Sequence, residues 1–114
     1  MKKLLSVSAL ALVFGVSTSA MAAFQGPELT TSTVADALKM SDDAAVVLEG
    51  KILKSLGDEK YQFSDNTGMV TIEIDNEDWR GVDVTPQDTI LIKGEIDKDV
   101  FSTEIDVDIV ELKK

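Results

Sequence analysis

The sequence predicts an all-β fold, a small closed five-stranded Greek-key barrel with a short helix in front of it, and three observations carry that prediction. Five stretches read as strands, the last four of them placing apolar residues at every second position, the period of two expected of a strand with one wet face. Gly50 and Gly94 fall inside the first and fourth of these stretches, where a strand bends or another backbone approaches closely. A connection of about 13 residues separates the third stretch from the fourth, which is long for a hairpin, while the other links are tight turns.

Residues 1–22 stand apart from that domain. Met1-Lys2-Lys3 is a positive n-region, residues 4–16 are an apolar h-region, and Ala20-Met21-Ala22 places small residues at −3 and −1 of a cleavage site. The pattern predicts a signal peptide cleaved after Ala22, and a periplasmic location follows from it and from the family resemblance described below. Ser17-Thr18-Ser19 ends the apolar run short of the roughly 20 residues that a membrane-spanning helix needs. The chain carries a formal charge of −10, which becomes −12 once Lys2 and Lys3 leave with the peptide.

Residues 23–32 have no periodicity and contain the breaker Gly26-Pro27, so they are predicted as an extended arm, with the barrel domain occupying 33–114. Thr33-Val34-Ala35-Asp36 has the [ST]-x-x-[DE] spacing of a helix start, with Val34, Ala35 and Leu38 on its inner side. The first strand runs through Val46 to Leu53, and Gly57-Asp58 turns the chain into a second strand that contains Tyr61 and Phe63. Asp65-Asn66-Thr67-Gly68 reads as a hairpin turn with Gly68 at a positive φ. Val70, Ile72 and Ile74 then face inward, and Thr71, Glu73 and Asp75 outward. Ile90, Ile92, Gly94 and Ile96 share one face of the fourth strand. In the fifth, Ile105, Val107 and Ile109 are expected inward and Glu104, Asp106 and Asp108 outward. The five strands are read as antiparallel throughout, the arrangement of a barrel of OB type, which leaves no exposed edges.

Several residues together resemble the YgiW/YdeI family of periplasmic bacterial OB-fold (BOF) proteins. They are the arm Phe24-Gln25-Gly26-Pro27, the turn Asp65 to Gly68, Glu73-Ile74-Asp75 followed by Trp79, Gly81 and Val84-Thr85-Pro86, then Gly94 to Asp99 and Glu104 to Val107. The resemblance spans nearly the whole chain after the signal peptide. It implies an OB barrel preceded by a helix, a periplasmic location and a part in envelope stress tolerance, and it brings no catalytic residues. The chain departs from the family pattern at Glu49, at Val100 and in the acidic Asn76-Glu77-Asp78.

Composition excludes several chemistries. With no His and no Cys there is no imidazole base, no thiol nucleophile, no zinc site and no disulfide, and no cofactor is expected. Oligonucleotide binding, the first function an OB barrel suggests, needs aromatic platforms and Lys or Arg along strands two and three. The outward residues there, Lys60, Gln62, Ser64, Met69, Thr71, Glu73 and Asp75, include no aromatic and two acids, and the net charge repels phosphates. A carboxylate acid/base pair is the one enzyme chemistry left, but a solvated acidic surface explains the same residues, so no enzymatic activity is expected. Asp75-Asn76-Glu77-Asp78 offers oxygen donors for Ca²⁺ without EF-hand spacing, so no metal site is assigned.

The expected function is a binding module whose acidic third-strand face and neighbouring loop, Thr71, Glu73, Asp75, Glu77, Asp78 and Trp79, take a cationic or glycan-containing envelope ligand. A cationic peptide or a peptidoglycan fragment has that chemistry. The alternative is an interaction subunit that docks an envelope protein through Phe24 to Leu29.

Overall fold

The computed structural model describes residues 30–113. The predicted signal peptide and most of the predicted arm therefore lie outside the described residues. The elements run α1 (Val34–Ala37), β1 (Ala45–Gly57), β2 (Lys60–Asp65), β3 (Gly68–Ile74), a 3-10 turn (Asn76–Trp79), β4 (Ile90–Lys98) and β5 (Thr103–Leu112). The strands close into a barrel in the order β1-β2-β3-β5-β4, with β4 returning to β1. Closure requires β1 to serve two neighbours, so its first half, Ala45–Gly50, pairs with β4 and its second half, Lys51–Gly57, with β2.

Two features of the pairing correct the reading from sequence. The strands are not all antiparallel: β3 and β5 run parallel, with Thr71 opposite Glu104 and Glu73 opposite Asp106. The long β3–β4 connection makes this possible, because it carries the chain past β5's place before the β4–β5 hairpin folds back. In β5, Ile109 does not face inward. The register slips between Lys93 and Gly94, which oppose Ile109 and Val107, so Asp108 is the extra residue of a β-bulge. Beyond the bulge Val110 is buried and Ile109 is 42% exposed.

The core is aliphatic with one aromatic at its centre. Leu48, Ile52, Phe63, Ile72, Ile74, Ile90, Ile92, Ile96, Ile105 and Val107 fill the barrel, as alternation predicts. Val34 of α1 closes one end as expected, joined by Ala37 in place of the expected Ala35 and Leu38, the latter being exposed. Thr33 caps this helical turn by accepting from the Asp36 amide (3.1 Å), and Asp65 reaches across from the β2–β3 turn to accept from Val34 N (2.8 Å). The other Asp65 oxygen accepts from the Thr67 amide (2.7 Å), its hydroxyl (2.6 Å) and the Gly68 amide (3.2 Å). That side chain builds the turn without a left-handed residue, so Gly68 does not take the positive φ its position suggested. The β1–β2 turn is the left-handed one, with Asp58 and Glu59 at φ of 56° and 66°.

Candidate functional site

Alternation on three adjacent strands points carboxylates to one outer face, and the parallel β3–β5 pairing brings them into rows. Lys60, Glu73, Asp106 and Glu95 are successive cross-strand partners on β2, β3, β5 and β4. Thr71, Glu104 and Asp97 form the adjacent row. Like charges in neighbouring register are unfavourable unless something neutralises them. Within these rows one cation does so: Lys60 Nζ lies 3.1 Å from Glu104 Oε2, a contact that also raises the lysine's pKa.

Glu73, Asp106 and Glu95 register the crowding, as does Asp75 at the end of β3. Partial burial and the Asp106 charge push Glu73 up, with Lys60 opposing, and desolvation on this face with the charges of Asp108, Asp97, Asp78 and Glu104 raises Asp106. Asp75 is raised by desolvation on this face and by Glu59, Glu77, Asp78 and Asp106. Glu95 departs furthest, to about 7, through a hydrogen bond with Asp108, partial burial, and the charges of Asp108, Asp106 and Asp43. The β5 bulge is what sets Asp108 beside Glu95.

At the end of β3 the β1–β2 turn folds against the acidic face. Glu59 accepts from Ile74 N through its carbonyl (2.9 Å) and from Asn76 N through Oε2 (2.8 Å). Carboxylate oxygens of Glu59, Glu73 and Asp75 consequently lie within 4.8 Å of one another. Asp75 thus converges with Glu59 and Glu73, a grouping that local spacing with Glu77 and Asp78 did not suggest.

Of the residues singled out from sequence, Thr71, Glu73, Asp75 and Asp78 contribute to this face, and Glu77 lies beside Asp75 on the 3-10 turn. Trp79 separates from them. Its indole packs on the edge of the core and meets Tyr61 edge-to-face, with ring centroids 5.5 Å apart and planes at 80°. Both rings line an apolar groove of about 570 Å³ between β1 and the β3–β4 connection, with Ile52, Leu53, Val82 and Pro86. Trp79 follows Asp75, Glu77 and Asp78 directly in the chain, yet its packing on Tyr61 and the core edge takes it off the acidic face. Sequence reasoning read Glu104, Asp106 and Asp108 as outward but did not join them to Glu73, because that joining depends on the parallel pair. Glu95 was missed although its position between Gly94 and Ile96 marks it as outward.

With the geometry in place, the comparisons with known proteins agree with the resemblance. A model of the family described as "Bacterial OB fold (BOF) protein" matches residues 15–112. Protein YgiW of Escherichia coli K12 is 45% identical over 97 residues, covering 74% of this chain and 75% of its own length. The calcium-regulated OB-fold protein CarO of Pseudomonas aeruginosa is 37% identical over 108 residues, covering 95% and 93%. The solved structure of ygiW from E. coli aligns with a TM-score of 0.74 at 42% identity, over 79% of this chain and 97% of that one. The Stn1-Ten1 complex of S. pombe, at 12% identity and a TM-score of 0.62, shares the fold alone.

Proposed function

The chain belongs to the bacterial OB-fold (BOF) family, and on that premise we propose that it is a non-enzymatic periplasmic binding protein contributing to envelope stress tolerance. Its acidic face engages a cationic or glycan-containing ligand, of the chemistry of a cationic peptide or a peptidoglycan fragment. The observation that carries this reading is the row Glu73, Asp106 and Glu95 across three strands, whose carboxyls are held above their ordinary values by desolvation at Glu73 and Asp106, by the Asp108 hydrogen bond at Glu95, and by the charges of neighbouring carboxylates at all three. A ligand that brings cations relieves that repulsion, so its binding energy is concentrated where the protein is least satisfied electrostatically. A glycan portion would find the Tyr61 and Trp79 rings in the groove near the end of the same strand.

The non-enzymatic reading is supported by side-chain chemistry. No imidazole or thiol is present in the sequence, and the carboxyls raised above their ordinary values, Glu73, Asp75, Glu95 and Asp106, do not line the apolar groove. The relative named as calcium-regulated makes Ca²⁺ a natural competitor, since the oxygens of Glu59, Glu73 and Asp75 suit a hard cation.

The test is calorimetric titration of the protein and of the triple variant Glu73→Gln, Asp75→Asn, Glu77→Gln with a cationic peptide, peptidoglycan fragments and Ca²⁺. Neutralisation is expected to weaken peptide binding about tenfold or more while leaving the fold intact. Unchanged affinity in the triple variant removes the acidic face as the site.

A further inference from the structure

The β4–β5 turn presents two large apolar side chains to solvent, Val100 at 88% and Phe101 at 97% exposure. This turn is rigidly built. Asp99 Oδ1 accepts from the amides of Phe101 and Ser102 (both 3.0 Å) and from the Ser102 hydroxyl (3.3 Å), and Asp99 N donates to the Ser102 carbonyl (3.0 Å). The base is anchored too. Lys98 Nζ donates to the carbonyls of Leu38 (3.3 Å) and Met40 (2.7 Å), and Lys98 N donates to Asp42 Oδ1 (2.8 Å). An aromatic ring held out in water by this many bonds to its own turn is presented rather than stranded.

Two grooves of mixed lining adjoin it. A groove of about 410 Å³ runs from Phe101 to Leu38 and Thr103, and a second, of about 250 Å³, shares Leu38 and Thr103 and continues to Met69 and Thr71. Leu38 is 41% exposed, so Val100, Phe101 and Leu38 make an apolar ledge along this end of the barrel, and Met69, 55% exposed, stands beyond it across a cleft shared with Gln62, Thr71 and Thr103. That ledge borders the acidic rows directly. Thr71 is the cross-strand partner of Glu104, which follows Thr103 in β5 and stands opposite Asp97. Two lysines at this border are engaged, Lys98 by the carbonyls of Leu38 and Met40 and Lys60 by Glu104.

We infer that the ledge and the acidic rows form one composite surface that binds a basic amphipathic peptide segment, apolar side chains seated on Phe101 and Leu38 and basic ones on Glu104, Asp97, Asp106 and Glu73. This rests on the acidic-face reading above and narrows it to a ligand with both characters side by side. Charge complementarity selects the occupant. A hydrophobic partner of acidic or neutral surface leaves the carboxylates next to the ledge unrelieved or desolvated, and a second copy laid face to face brings like charges together. A preformed ledge also keeps the ordering cost of binding low.

The test uses two synthetic peptides of equal positive charge, an oligolysine and a peptide combining Lys with Leu on opposite faces, titrated calorimetrically into the protein and into Phe101→Ser. Phe101 is almost wholly exposed and makes none of the side-chain bonds of the turn, so its replacement leaves the barrel intact. The amphipathic peptide is expected to bind about tenfold or more tightly than oligolysine, and Phe101→Ser to remove that excess while oligolysine affinity stays within about twofold. Amphipathic-peptide affinity that survives Phe101→Ser overturns the inference. So does concentration-dependent dimerisation that Phe101→Ser abolishes, which would assign the ledge to a second copy. The triple variant of Glu73, Asp75 and Glu77 separates the two levels. If it weakens oligolysine binding and Phe101→Ser changes nothing, the ledge fails and the acidic face stands. If neither peptide responds to it, both fail.

Discussion

Gly94→Ala is expected to destabilise the barrel by about 2 kcal/mol. A methyl group on Gly94 would lie 2.9 Å from both the Asp106 carbonyl carbon and Val107 Cα, and closer still to the Asp106 carbonyl oxygen. These are backbone atoms of the paired strand, so no rotamer change relieves the clash and β4 must move away from β5 beside the bulge. Forcing extra carbon into packed structure costs roughly 1–3 kcal/mol, and a backbone clash belongs in the upper half of that range. Restricting the unfolded chain with alanine offsets about 0.4–1 kcal/mol. For a domain of this size each kcal/mol lowers Tm by about 4–8 °C, so the net effect is a fall of about 8–16 °C. Thermal and urea unfolding followed by far-ultraviolet circular dichroism measure it, with Gly68→Ala as control. At Gly68 the added carbon meets Val34 Cγ1 at 3.6 Å, an ordinary contact, and a change within about 0.5 kcal/mol is expected. A Gly94→Ala protein as stable as the wild type refutes the argument that close approach of β5 dictates this glycine.

Asp65→Ala removes acceptors from the Val34, Thr67 and Gly68 amides at once and should cost about 2 kcal/mol in the same unfolding assay. Burial alone would raise the Asp65 carboxyl, but hydrogen bonds from the Thr67 side chain and from the Val34, Thr67 and Gly68 amides hold it below the usual carboxylate value. Its stabilisation is therefore present above the ordinary Asp range and lost as pH falls through the lowered value, and the variant should flatten that acid limb. Glu95 has the opposite sign. Between an ordinary Glu value and about 7 the native state holds a proton that the unfolded state has released, so stability falls as pH rises through that window. Glu95→Gln should remove the slope and leave the protein more stable than wild type at neutral pH, as read by urea midpoints at pH 5 and 7.5.

How far the sequence reaches is visible strand by strand. The inward sets of β3 and β4 were legible because alternation is local and needs no knowledge of the partner: Val70, Ile72 and Ile74, then Ile90, Ile92 and Ile96, are all buried. Gly50 and Gly94 were legible as points of close approach, since a methyl group on Gly50 would meet the Ser64 carbonyl and Phe63 Cζ. What escaped depends on pairing between distant segments. The bulge at Asp108 exposes Ile109 and buries Val110, and nothing within β5 marks the slip. The parallel β3–β5 pair turns two separate acidic alternations into adjoining rows. Gly68 misled because Asp65 makes the turn with its side chain.

The most direct test of the central claim is the salt dependence of cationic-peptide binding, measured by calorimetry from low to near-physiological ionic strength and beyond, in the protein and in the Glu73, Asp75, Glu77 triple variant. A ligand held by exposed carboxylates should lose affinity steadily as the screening length shortens from about 30 Å toward 8 Å, and the triple variant should bind weakly with a shallower slope. Binding that ignores salt, or a slope the triple variant leaves unchanged, would contradict the account and move the site off the acidic face.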